Sequence, residues 1–159
     1  MSTLEAQLTV VAEPPRARAQ AQAALHDPEF AALWHHELDI ETGPVGSIAV
    51  LHMAGDIDML TLPLVCAALI TALDTRPADL VIDLSEVRFC GVRGFALLAA
   101  MAATTATCGI GYAVAGMGRH LDRAATQTWS GQRLRRYPST AAAVTATRHG
   151  QARSHADHR

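Results

Sequence analysis

The carboxylates Asp56 and Asp58, in the stretch GDID, stand two residues apart after an apolar run. Such a pair suits general acid–base work in principle. It equally suits a tight turn in which each carboxylate accepts local backbone amides, and the turn is the better reading. The second conspicuous place is FCGVRGF, residues 89–95, between the apolar run LVIDL and the helix-like run FALLAAMAA. Its chemistry is unusual. It contains no hydroxyl and no carboxylate, and it sets Arg93 at a helix start, where the macrodipole disfavours positive charge by about 0.3–1 kcal/mol.

The remaining candidates are weaker. Ser85 and Ser139 have no nucleophile elbow around them, and GIGYAVAGMG scatters its glycines without the order of a phosphate cradle. All thirteen basic residues are Arg, so a P-loop lysine or a Lys Schiff base is excluded. His35, His36, His149, His155 and His158, with Asp157, lack a rigid spacing on one helix face, and no metal site or cofactor is expected. His52 interrupts an otherwise apolar strand and reads as a hydrogen-bonded, partly buried residue. The basic run at 133–136, near Trp129 and Tyr137, reads as protection of a strand edge rather than a nucleic-acid face.

Cys66, Cys90 and Cys108 form no CxxC and fit a reducing, cytoplasmic setting. Cys66 lies about one turn into one helix, and Cys90 stands at the sheet edge from which that helix starts. A Cys66–Cys90 bond is therefore a redox candidate, against the simpler reading of two buried thiols. The N-terminus carries Glu5 and Glu13 without a basic start, so no signal peptide is expected. The apolar runs fall short of the ~18 residues of a membrane span, and no membrane insertion is expected.

Elements must position these residues. With 159 residues, 18% charged and a net charge of −2, the chain is long enough for one domain and has no overall pull towards nucleic acid. Residues 1–36 read as an extension in which Asp27-Pro28-Glu29 opens a short helix, FAALWHH; Phe30, Leu33 and Trp34 are placed to pack on an open sheet face. Residues 37–146 carry the periodicities, and 147–159 read as a disordered tail. HELDIE is a first strand, separated by Gly43-Pro44 and Gly46 from SIAVLHM. GDID then turns the chain into a helix capped by Thr61, with Leu62, Cys66, Leu69 and Leu73 on one face. LVIDL is a short strand, and a helix follows from about Val92 to Thr107. Next come the strand IGYAVAG, the helix RHLDRAATQTW, an edge strand RLRRY and a last helix capped by Ser139. The alternation predicts an α/β fold with parallel pairs, whose strand-to-helix turns GDID and FCGVRG lie side by side at the carboxyl edge.

The order GDID, helix, LVIDLSEVRF, glycine-ended turn, YAVAG and RRYPSTAAAV resembles a STAS domain of the bacterial anti-sigma factor antagonists, over residues 37–146. The resemblance implies a small mixed β-sheet with helices packed mainly on one face, and a non-enzymatic, protein-binding regulator of transcription. It implies as partner a kinase-type anti-sigma factor or a related regulatory protein, contacted through Asp56, Asp58, Gly91, Val92, Arg93 and Gly94. Switchable members carry Asp, a phosphorylated Ser or Thr, a further residue and Gly at the second helix start. Here Gly94 matches the glycine, but Gly91 stands for the Asp and Val92 for the hydroxyl, so the phospho-switch is expected to be lost. Two alternatives remain open: an accessory subunit of a transporter ATPase, and a thiol redox sensor using Cys66 and Cys90. For Arg93, an acidic patch on the partner and an internal ion pair with Asp56 or Asp58 are equally good readings.

Overall fold

The computed structural model describes residues 38–147. The segment FAALWHH, the paired His35-His36 and the tail histidines lie outside the described residues. Five strands form one sheet in the order β1-β2-β3-β4-β5: β1 Leu38–Val45, β2 Ile48–Ile57, β3 Asp79–Cys90, β4 Gly111–Ala115 and β5 Arg136–Tyr137. β1 is antiparallel to β2, and the other pairs are parallel. The helices are α1 Leu62–Asp74, α2 Val92–Thr107, α3 Arg119–Thr126, the single turn α4 Trp129–Gln132, and α5 over 140–147. RHLDRAATQTW is thus broken in two at Gln127-Thr128 rather than continuous. Ser139 does cap the last helix, its hydroxyl accepting from Ala142 N at 3.2 Å.

Gly43-Pro44 and Gly46 do not separate the first two strands in the way the sequence suggests. β1 runs through Pro44, as an edge strand allows, because the missing N–H is not needed on the free side. Gly46 takes φ 65° as the first residue of a two-residue Gly-Ser hairpin closed by Val45 and Ile48.

The main core lies between one sheet face and α1–α3. It contains Leu51, Met53, Ile57, Leu62, Leu69, Ile82, Leu84, Phe95, Leu98, Met101 and Leu121, all nearly inaccessible. α5 covers part of the other face, where Ala143 and Val144 pack with Ile48, Val81, Ala113 and Ala115.

Two strands are longer than their apolar runs. β2 continues through Gly55-Asp56, and β3 passes LVIDL to reach Cys90, while β4 pairs with β3 only as far as Asp83. Beyond Asp83 the sheet therefore continues without β4 as a narrower ribbon of β2 and β3, flanked by β1 as far as the Leu38↔Gly55 pair. Its register slips twice: between His52↔Asp83 and Ala54↔Glu86, and again between Gly55↔Val87 and Asp56↔Phe89. Each slip adds one residue to β3, so its core-facing positions become Leu84, Val87 and Cys90. Between them, Ser85-Glu86 and Arg88-Phe89 are turned outward as exposed pairs. Bulges bend and re-aim a strand in this manner.

Candidate functional site

The ribbon ends in two turns tied together, since the Gly91 N–H donates to Ile57 O at 2.9 Å. The first turn, after β2, is built by Asp58. Its Oδ1 accepts from Leu60 N (2.9 Å) and Thr61 N (3.0 Å), while Thr61 Oγ1 donates to Asp56 O (2.8 Å) and accepts from Asp58 N (2.9 Å). Thr61 is the residue before α1, but its buried hydroxyl serves this turn and makes no hydrogen bond to an amide of α1. Asp58 is therefore the turn-forming residue that its position suggests. One consequence is that Met59 and Leu60 stand outward, 52% and 46% exposed.

The second turn starts α2. Gly91 is its N-cap in an extended conformation, without a side-chain cap, and no acidic residue lies in the first turn. Val92 is the first helical residue and is 68% exposed. Gly94 is packed differently. A Cβ there would stand 2.6 Å from Cys90 Sγ and 2.8 Å from Ile57 Cγ2, so glycine lets α2 start directly against the ribbon. The Phe89 ring lies close to Gly91 and is 54% exposed. Met59 and Leu60 on the first turn, Phe89 near the end of β3 and Val92 at the start of α2 are thus four exposed apolar side chains at the same end of the ribbon.

Asp56 does not pair with Arg93, which corrects the internal ion pair expected as one reading. Asp56 is engaged by Arg88, with Nε–Oδ1 and Nη2–Oδ2 both 3.2 Å, across the Asp56↔Phe89 register. The bulge that exposes Arg88 and Phe89 together makes this pairing, and sequence spacing did not reveal it. Asp58 is occupied by its own turn. Exposed Arg93 has no ion pair or hydrogen bond among the described residues. On the unpaired side of β3, the His120 ring nitrogen Nε2 donates to Arg88 O at 2.5 Å, so α3 closes that edge.

At the base of the ribbon His52 lies between two carboxylates. Nδ1 is 3.0 Å from Asp83 Oδ2 and Nε2 is 3.2 Å from Glu86 Oε2. The first bulge makes this possible, because Asp83 and Glu86 would otherwise face opposite sides of β3. The Asp83 hydrogen bond holds the His52 imidazolium above its usual value; partial burial opposes this and Glu86 reinforces it. Burial pushes the Asp83 carboxyl upward, yet hydrogen bonds from Ser85, His52 and Thr140 outweigh it and leave the group below its usual value. His52 is thus hydrogen-bonded and partly buried, in agreement with its place on an apolar strand.

Cys66 and Cys90 are buried thiols, and Cys108 is exposed. Burial pushes the Cys90 thiol up to about 12. Among the described residues no group of three or more His, Cys, Asp or Glu is arranged to hold a metal, and no helix is long and apolar enough to cross a membrane. Elsewhere, Trp129 is 75% exposed with Arg133 over its ring at 5.8 Å. Arg136 is tied to Asp122 at 2.9 Å, so part of the basic run is engaged internally.

The five-stranded mixed sheet has known counterparts. One is the crystal structure of an anti-sigma factor antagonist from Mycobacterium paratuberculosis, 28% identical with a TM-score of 0.62, covering 70% of this chain and 95% of that one. Another is the murine Solute Carrier 26 family member A9 anion transporter in the inward-facing state, at 13% identity and a TM-score of 0.54. It covers 76% of this chain but 24% of the transporter, and it supports the fold alone. No curated protein matches the sequence. The family model described as "Mlab, STAS domain" matches residues 41–128, from β1 through the residue that caps α4. That span includes the ribbon, both turns and the start of α2, and on it the chain belongs to the STAS-domain family.

Proposed function

We propose that this protein is a non-enzymatic, cytoplasmic regulator that docks a protein partner at the ribbon end, in the manner of an anti-sigma factor antagonist. The observation that carries this reading is the patch of Met59, Leu60, Phe89 and Val92 beside unpaired Arg93. Four large apolar side chains exposed together on a small domain mark an interaction surface. They surround the start of the helix where switchable STAS antagonists present their phosphorylated hydroxyl. The likeness to the mycobacterial antagonist supports the same choice. Asp58 shapes the surface, Asp56 orients Arg88 beside it, Gly94 allows the close approach of α2, and Gly91 starts that helix without a side-chain cap. Arg93 and the uncapped helix start favour a partner that brings carboxylates and apolar side chains.

Val92 at the phosphoacceptor position has no oxygen, so in this reading the partner is not released by phosphorylation there. With a kinase-type anti-sigma factor and ATP, the intact mass is expected to remain unchanged. Phe89→Glu and Val92→Glu are expected to abolish binding of that partner in titration calorimetry while leaving the fold intact. Unchanged affinity in both variants overturns the reading.

The missing hydroxyl also favours a second reading, an accessory subunit of a transporter ATPase, using the same patch. Affinity capture with mass spectrometry separates the two, by recovering either an anti-sigma kinase or an ATPase subunit. Redox sensing through Cys66 and Cys90 has less support, because a thiol at about 12 supplies almost no thiolate near neutral pH.

A further inference from the structure

The docking patch has a candidate occupant within the same chain. β1 starts at Leu38, whose register partner is Gly55, just short of the turn that carries Met59 and Leu60. The chain before Leu38 is therefore tethered at the carboxyl edge where the patch lies, and the far end of the hairpin is excluded as its attachment. Phe30 is eight residues from Leu38, which reach at most about 26–29 Å when extended. Crossing from β1 to β3 needs two strand spacings of about 4.8 Å. Reach is ample.

The sequence of this segment matches the patch in kind. Phe30, Leu33 and Trp34 have i, i+3, i+4 spacing, the pattern of one helix face. Residues 27–37 also hold three carboxylates, Asp27, Glu29 and Glu37, and no Lys or Arg. The patch offers the converse: apolar Met59, Leu60, Phe89 and Val92, with exposed Arg88 and unpaired Arg93 beside them.

We infer that residues 27–37 bind the Met59–Leu60–Phe89–Val92 patch in cis, through Phe30, Leu33 and Trp34, and compete with the protein partner for it. The inference rests on the patch being the partner-docking surface. A short tether gives an effective concentration in the millimolar range, so a weak contact is enough to occupy the patch. Such an occupant supplies an off-state that needs no phosphoryl group, at the position where Val92 has removed the acceptor.

The test uses the full chain and needs no partner. Trp34 and Trp129 are the two tryptophans, so Trp129→Phe leaves Trp34 as the sole emitter. Its emission is expected to be blue-shifted and protected from acrylamide. Adding Phe89→Glu and Val92→Glu is expected to move it to a solvent-like value, with the cooperative melt retained. An emission that is solvent-like from the start, or indifferent to the patch substitutions, overturns the proposal. Protection lost on dilution overturns it too, by assigning the occupant to a second copy.

Partner affinity is read separately. Phe30→Ala, Leu33→Ala and Trp34→Ala together are expected to tighten partner binding several-fold. Should the patch variants abolish partner binding without releasing Trp34, the docking surface stands and the cis contact fails. Release of Trp34 with no loss of partner binding leaves the cis contact and removes the docking reading.

Discussion

Arg88 holds Asp56 through two contacts of 3.2 Å, and this pairing leaves Arg93, in the first turn of α2, without an ion pair among the described residues. A helix start disfavours that charge, so its removal costs the fold nothing. Arg93→Ala is expected to shift stability by no more than about 0.5 kcal/mol, the usual range for an exposed side chain. Arg93→Glu is expected to weaken partner binding by about 2 kcal/mol or more through like-charge repulsion with an acidic partner. Thermal melts and titration calorimetry on both variants check this. A destabilised Arg93→Ala with intact binding contradicts it.

Gly94 is expected to tolerate no side chain. A Cβ at 2.6 Å from Cys90 Sγ and 2.8 Å from Ile57 Cγ2 has to displace two buried groups. Overpacking of this kind costs about 1–3 kcal/mol, which exceeds the helix-propensity gain of Ala over Gly, at most about 1 kcal/mol. Gly94→Ala is therefore expected to lower the melting temperature by several degrees. Cys90→Ala, which removes the nearer contact, is expected to restore part of the loss in the double variant. Strict additivity of the two single effects tells against the clash.

His52 predicts a pH dependence with a definite sign. Its imidazole is raised above 6.5 in the folded state by Asp83 and Glu86, and Glu41 stands opposite it on β1. A raised value contributes stability that is full below about 6.5 and is lost as pH rises through the folded value. Asp83 is lowered from 3.8, so its contribution is present above that value and lost as pH falls. Wild type is expected to be most stable between these limits. His52→Gln is expected to flatten the alkaline side of the profile and leave some of the acid side. Melting temperatures across the pH range for both proteins decide it, and identical slopes above pH 6.5 count against the His52 assignment.

A fragment of about residues 36–148 is expected to fold cooperatively with a similar melting temperature, because the apolar periodicities of the sequence lie within it. It is also expected to bind the partner more tightly than the full chain, since it lacks Phe30, Leu33 and Trp34. Loss of a cooperative melt places the domain boundary earlier than residue 36.

Much of the fold was legible in the sequence, and it was legible where one physical rule dominated. Leu62, Cys66, Leu69 and Leu73 repeat at helical spacing and are all buried on α1. Gly91 and Gly109 bracket α2 because a helix of apolar residues needs a start and a stop there. The alternation of strand and helix dictated parallel pairs, and hence that GDID and FCGVRG would meet at one edge. Tertiary structure decided the rest. From Leu84 onward the buried positions fall at Leu84, Val87 and Cys90, a spacing of three that breaks the alternation of a strand. A pleated strand adopts it only with a longer-spanning partner correction, one extra residue per bulge against β2, and such slips depend on pairing across some thirty residues of chain. LVIDL therefore read as a short strand although β3 continues to Cys90. The same two slips bring Asp83 and Glu86 to one imidazole, pair Arg88 with Asp56, and turn Phe89 outward beside Val92. Residue types and local spacing determined which groups were present; the register of β2 on β3 decided which of them face one another.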